Sequence, residues 1–183
     1  LRRRIDAATA LDLLAATRQR GLPVSASFWC DGELHVRLDG SATGLARVAP
    51  EFAGDPLPPE TAQDFWHSVR EHEHPFFTAA SPLWRLTLPV TAAAAALQAA
   101  SRPAFEWNGA QVWVPDDDRG RMEALARAAG GDLTRFRVAP GHDGTDGETF
   151  SPLPPPLLHL HRAVKRVFDP AGILNPGRMY AGL

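Results

Sequence analysis

At 183 residues, the chain has room for one domain with a full core, or for two small ones. Hydrophobic residues make up 44% and charged residues 22%, an ordinary soluble composition, and a net charge of −2 at pH 7 gives no general attraction to nucleic acid or to an anionic membrane. No apolar run approaches membrane-spanning length, and one cysteine, Cys30, excludes an internal disulfide framework and suits a reducing compartment such as the cytoplasm.

The chain opens LRRRIDAATALDLL. Arginines ahead of an apolar stretch resemble a leader, but Asp6 and Asp12 interrupt the stretch. With no initiating methionine, the sequence is expected to be a piece of a longer one. Residues 6–20 predict a helix capped by Asp6 and stopped at Gly21, with Leu11, Leu14 and Ala15 on one face. Two alternating strands follow, the first through Val24, Ala26, Phe28 and Cys30, the second through Leu34, Val36 and Leu38. The Asp31-Gly32 pair suggests a two-residue loop, yet that register sets Cys30 opposite Glu33 and Phe28 opposite His35. A three-residue loop, Asp31–Glu33, aligns apolar with apolar and is the preferred reading.

Residues 41–49 predict a short helix, and 60–72 a second one carrying Phe65, Trp66 and Val69, after a proline-rich loop. The second half then reads strand 83–89, helix 91–100, strand 104–107, an Asn108-Gly109 turn, strand 110–114, helix 119–129 and strand 133–138. That is the ferredoxin-like split βαβ order. The first half repeats it less one strand, with LRRRI as a possible opening strand. The expected fold class is α+β: ferredoxin-like units sharing a largely antiparallel sheet with helices on one face. Residues 139–152 are expected to be a mobile polar loop. The last helix carries Leu157, Leu160, Val164 and Val167 as a stripe, with Arg162, Lys165 and Arg166 toward its C-terminal end.

Chemistry-bearing patterns are sparse. Histidines two apart in EHEH (71–74) and HLH (159–161) point about 200° apart on a helix and do not chelate one ion there; an extended backbone after residue 71 would reopen the question for His72 and His74. The favoured reading of EHEH is a solvated helix end, and no metal is assigned. Cys30 reads as an inert small hydrophobe. GSATGL (40–45) and AGGD lack the strand-to-helix setting of phosphate or dinucleotide loops. No catalytic residue is assigned. Two features stand out on the sheet. Trp84, Leu86 and Leu88 share a side, which leaves Arg85 and Thr87 on the other. A two-residue Asn-Gly turn places Phe105, Trp107, Val112 and Val114 together and Trp113 with Glu106 and Gln111 opposite. That opposite face is either exposed with an incidental aromatic, or it covers a ligand or a second domain, with Arg85 meeting an anion.

Asp169-Pro170 ends the final helix, and Asn175-Pro176-Gly177 turns the chain so that Arg178, Met179 and Tyr180 are expected to project outward. FDPAGILNPGRMY resembles the C-terminal signature of FAD-linked oxidases of the vanillyl-alcohol-oxidase type. PLWRLTLP, EWNGAQVWV and AGGDLTRF, with that tail, are similar to the FAD-binding E-subunit family of bacterial glycolate oxidases, mostly over residues 60–183. The resemblance implies a cap domain over residues 1–152, and a helix and tail over 153–183 that return to an N-terminal FAD-binding domain upstream of Leu1. It also implies FAD in the full-length protein and a complex that oxidises glycolate to glyoxylate. The partners in that complex would be a catalytic flavoprotein, the D-subunit, and an iron–sulfur protein, the F-subunit, with any membrane association coming through the complex. Arg85, Asn175, Arg178 and Tyr180 are the candidate contacts to the flavin domain or its anionic ligand. The readings from other classes are a subunit-interaction module and a free-standing ferredoxin-like domain binding a small ligand.

Overall fold

The computed structural model describes residues 1–78, 82–139, 141, 149–180 and 182–183. The elements are β1 (Arg2–Arg4), α1 (Ala7–Gln19), β2 (Val24–Cys30), β3 (Glu33–Leu38), α2 (Ala42–Val48), α3 (Pro59–Arg70) and α4 (Pro75–Thr78). After them come β4 (Leu83–Thr87), α5 (Ala93–Ala99), β5 (Ala104–Glu106), β6 (Gln111–Pro115), α6 (Arg119–Ala128), β7 (Asp132–Arg137) and α7 (Pro155–Phe168). Side-chain caps start the helices where the sequence places them: Asp6 accepts from Thr9 N–H at 2.9 Å and Asp118 from Arg121 N–H at 2.9 Å.

The strands form one antiparallel sheet in the order β1-β3-β2-β5-β6-β4-β7. That order is two split βαβ units side by side, β7-β4-β6-β5 complete and β1-β3-β2 lacking its last strand, fused through β2 and β5. Both outer edges are covered, which removes two templates for unwanted strand pairing. Arg2 and Asp55 exchange backbone hydrogen bonds of 2.8 Å along β1, and Arg135 N–H donates to Thr149 O at 2.7 Å along β7. Thus residues 149–151 of the expected 139–152 loop extend the sheet; residues 140 and 142–148 lie outside the described residues.

Helices α1, α5 and α6 cover one face. Ala10, Leu14, Ala93, Ala96, Leu97, Met122 and Ala126 pack there against Trp29, Leu34, Val36, Trp84, Leu86, Phe105, Val112, Val114 and Leu133. Each large side chain sealed this way contributes about 1.5–3 kcal/mol of transfer free energy. The α+β class holds as expected, with one addition: α3 and α4 cover part of the opposite face. Val69, Phe76 and Phe77 meet Phe28, Cys30, Leu83, Ala104 and Trp113 in a second core, with Phe65 and Trp66 at its margin.

That second core explains two corrections. The β2–β3 hairpin uses the two-residue loop: Cys30 pairs with Glu33 and Phe28 with His35. Asp31 and Gly32 both take left-handed φ, 49° and 80°, the geometry that matches strand twist. Face parity disfavours this loop only if one face is wet, whereas here both faces are buried and His35 itself is only 7% exposed. The exposed-face reading of Trp113 fails for the same reason, since its side chain is 1% exposed. At the other hairpin the expected register holds, Phe105 facing Val112 and Ala104 facing Trp113. Trp107 leaves the strand, however, because residues 107–109 all adopt positive φ. A Cβ on Gly109 would come within 2.6 Å of Leu11 Cδ2, so only glycine lets this turn press against the helix layer.

Candidate functional site

Strand alternation on β4 turns Arg85 to the second face. Arg85 lies between Trp113 of β6 and Thr134 of β7, and Thr87, two residues on, lies between Gln111 and Asp132. Trp113 is the floor of this region. Phe77, His72 and Phe136 pack edge-on around it, with centroids 5.2, 5.3 and 5.0 Å away. Its indole N–H donates to Glu106 Oε2 at 2.7 Å, and Gln111 Nε2 donates to the same oxygen at 2.8 Å. Arg137 gives its Nη1 to the Phe77 carbonyl. Arg85 differs: its Nε is sealed from solvent and has no hydrogen-bond partner among the described residues. A buried donor left unpaired needs an acceptor, whether a water, an ion or a ligand atom.

EHEH is a solvated helix end only in part: Glu71 and Glu73 are exposed, whereas His72 and His74 are half-buried. Helix α3 stops at Arg70, His72 takes φ 58°, and its ring is enclosed by Phe77, Trp113 and Phe136. Burial holds the His72 imidazole below its usual pKa, and the Arg137 and Arg85 charges push the same way against Glu106. His74 sits between Phe28 and Phe65 and accepts from Phe76 N–H at 3.3 Å. His35 stacks on Phe65 with centroids 3.7 Å apart, and burial depresses it to about 4. The 3.3 Å approach of Glu33 to His35 is therefore a contact with a neutral ring at pH 7. Glu33, His35 and His74, with Phe28, Cys30 and Asp31, line a cavity of 230 Å³. Burial pushes the Cys30 thiol up to about 12, which keeps it protonated and inert. Among the described residues, no three His, Cys, Asp or Glu side chains are placed to hold a metal ion.

A larger groove of 1070 Å³ runs between β2–β3 and α3, with Arg37, Trp66, His67, Arg70, Glu106 and Trp107 in its lining. Arg37 lies over the Trp66 ring at 5.8 Å. Trp107 stands on its rim, 67% exposed. Its left-handed turn is fastened by Asn108 N–H donating to Ser27 Oγ at 2.9 Å.

The C-terminal segment behaves as a separate layer. No residue of α7 is buried, and Leu157, Leu160, Val164, Val167, Phe168, Ile173 and Leu174 are all exposed. Asp169 shapes the turn that follows. Its carboxylate accepts from Lys165 Nζ at 2.8 Å, Leu174 N–H at 2.9 Å and Ile173 N–H at 3.0 Å. Those bonds, the Lys165 bond first, lower its pKa to about 2. Of the tail candidates, Asn175 takes φ 47° and its carbonyl accepts from Arg178 N–H at 3.2 Å, and Arg178 is exposed together with Met179. Tyr180 does not project outward. It is buried, its ring against Phe150 and His161, because the chain bends back after Gly177. The structure therefore brings Arg85 together with His72, Trp113 and Thr134, and keeps Asn175 and Arg178 on the tail.

A family model described as FAD linked oxidases, C-terminal domain, matches residues 152–179. The whole chain is 35% identical over 184 aligned positions to "Glycolate oxidase subunit GlcE" of Escherichia coli (strain K12). It is a GlcE-like C-terminal domain. The aligned region is 100% of this chain and 49% of the relative, so the chain spans about half the length of the curated relative it matches. No solved structure matches it. The family match falls on α7, none of whose residues is buried, and on the Asp169 turn.

Proposed function

We propose that this GlcE-like domain covers the substrate side of the flavin in an FAD-linked oxidoreductase subunit, and that α7 and the tail fasten it to an N-terminal flavin-binding portion. The observation that carries the reading is the uncovered apolar stripe of α7, continued by Ile173 and Leu174. A contiguous exposed apolar face of this kind marks a docking surface, and the half of the relative that this chain does not cover is long enough to provide an occupant. The residues fit a cover better than a grip. Arg85 offers an unpartnered planar guanidinium on a sheet face walled by aromatics, suited to a carboxylate or another anionic group. Arg178 offers a second from the tail, and Asn175 holds the turn that presents it. Tyr180 braces that turn from inside. FAD, when bound, would supply the hydride-accepting chemistry; this chain's residues orient the anion and exclude water.

The same reading makes the full subunit a member of a glycolate-oxidising complex, glycolate to glyoxylate, alongside a catalytic flavoprotein D-subunit and an iron–sulfur F-subunit. We place it in the cytoplasm; no helix among the described residues is long and apolar enough to cross a membrane. The test is to produce the full-length subunit with Arg85→Ala and Arg178→Ala. Flavin retention, read from absorbance, is expected to fall while co-purification of the partner subunits persists. Unchanged flavin content with failed assembly would favour the second reading, a subunit-interaction module. The groove supports that alternative, because its rim presents Trp107 from a backbone conformation that tryptophan adopts only under constraint.

A further inference from the structure

The side of α7 away from its apolar stripe bounds an open pocket of 430 Å³, with His159, Arg162, Lys165, Arg166, Asp169 and Gly182 in its lining. Two residues on a helix turn about 200°, so Arg162 points away from Leu160 and Arg166 away from Val164. Asp169 is the one acidic side chain in the lining. It is already met by Lys165 at 2.8 Å and by the N–H groups of Ile173 and Leu174. Lys165 also donates to the Leu174 carbonyl at 2.7 Å, so the cation that favours the helix C-terminus is accounted for. Arg162 and Arg166 have no hydrogen bond or ion pair among the described residues. The returning tail walls the pocket: Arg162 Nη2 lies 3.7 Å from the point that a Cβ on Gly182 would occupy.

We infer that this pocket binds the phosphate group of a small phosphorylated molecule, with Arg162 and Arg166 as its cations and His159 at its margin. Arg162 and Arg166 stand four residues apart, which puts their Cβ atoms about 5–6 Å from each other on one side of the helix. Their donors therefore reach an anion from separate directions, which fits three phosphate oxygens better than one planar carboxylate edge. His159, three residues before Arg162, adds a ring nitrogen on the same side. A pocket of 430 Å³ is within the range of small-ligand sites and exceeds a bare phosphate ion, so it leaves room for an organic ester. The site goes beyond the covering role: with the stripe docked on the flavin-binding portion, the pocket faces the other way.

The experiment titrates the full-length, flavin-loaded subunit with inorganic phosphate by calorimetry, with acetate as the comparison, and reads flavin absorbance in each variant. Arg162→Gln and Arg166→Gln are each expected to weaken phosphate about tenfold, the worth of one charge-assisted hydrogen bond. Arg47→Gln, at an exposed arginine of α2, is expected to leave phosphate unchanged, and flavin content is expected to hold in all three. Sedimentation with phosphatidylcholine vesicles, with and without phosphatidic acid, separates the sources. Binding of free phosphate assigns a soluble compound; sedimentation only with phosphatidic acid, and only with both arginines in place, assigns a lipid headgroup. Equal weakening in Arg47→Gln overturns the site as general charge attraction, and acetate binding as tightly as phosphate overturns its chemistry. Loss of flavin together with phosphate in the two pocket variants also overturns it, since these cations would then serve the flavin side. So does binding of neither phosphate nor vesicles; partner subunits lost from the Arg162→Gln, Arg166→Gln double variant would then assign the cations to an acidic protein segment.

Discussion

Three tryptophans show how the two faces of the sheet differ. On the helix-covered face, Trp29 gives its N–H to the Ile5 carbonyl and Trp84 gives its own to the Asp116 carbonyl, both at 2.8 Å. Trp113, on the other face, gives its N–H to a carboxylate, Glu106. The first face closes with aliphatic helix residues against strand residues. The second closes with His35, His72 and His74 among its rings, and it stops short of Arg85. Both faces bury large side chains, so hydrophobicity does not separate them. What separates them is completeness of polar pairing, and on that measure the second face is unfinished.

The largest effect expected from this contrast is on Trp113. Trp113→Ala in the full-length subunit should lower unfolding free energy by about 3–5 kcal/mol, comparable with the loss from Leu86→Ala on the first face, measured by urea denaturation. A loss below about 1 kcal/mol would show the second core to be a loose cover instead of a core. Next comes the α7 stripe. Val167→Asp with Phe168→Asp should move the unfolding of this domain by no more than about 0.5 kcal/mol, because both side chains are exposed within it. The same pair should strip flavin from the full-length subunit. A variant that kept its flavin would mean that α7 faces something else.

A smaller effect separates the faces by pH. Burial, with the Arg2 and His74 charges adding, depresses His35 from 6.5 to about 4. An unfolded chain therefore takes up a proton below pH 6.5 that the folded chain refuses. Stability is full above that pH and falls as pH drops toward 4. Urea midpoints at about pH 7 and about pH 5 should diverge more in the parent than in His35→Phe. His72 and His74, lowered in the same direction, keep part of the slope in the variant. Equal slopes in both proteins would mean that His35 is solvated.

What the sequence makes legible follows the same divide. The split βαβ order, the Asp6 and Asp118 caps, and the Phe105–Val112 register follow from periodicity and turn chemistry, which are local. Cover for the second face is not local. It depends on Phe76 and Phe77 arriving after a helix end at Arg70, and a strand's own alternation carries no information about what packs on its far side. Trp107 escapes a local reading because Asn-Gly looks like the whole turn, when the Ser27–Asn108 contact, 81 residues apart in sequence, draws Trp107 into it as well. Of the site, Arg85 is visible as a charge on the wrong side of a strand. His72 is not, because EHEH follows a helix and a helical continuation points its histidines to solvent. The role of Asp169 is half visible: Asp-Pro announces a stop, while the hydrogen bonds to its carboxylate require the fold.

The smallest effect tests the hairpin where both faces meet. Gly32 sits at φ 80° with open space where a Cβ would go, so Gly32→Ala introduces backbone strain with no clash. The expected cost is about 1 kcal/mol, the ordinary penalty for an L-residue in the left-handed region. If β2 and β3 could slip to a three-residue loop, the variant would relieve that strain by moving one register. Slippage would carry Phe28 away from His35 and Cys30 away from Glu33, and set apolar opposite apolar. Cross-strand amide contacts measured by NMR distinguish the outcomes. Retention of the Cys30–Glu33 pairing at that modest cost is the result expected, because slipping would break the fit of Phe28 and His35 into the second core, where removing one large aromatic costs about 3–5 kcal/mol.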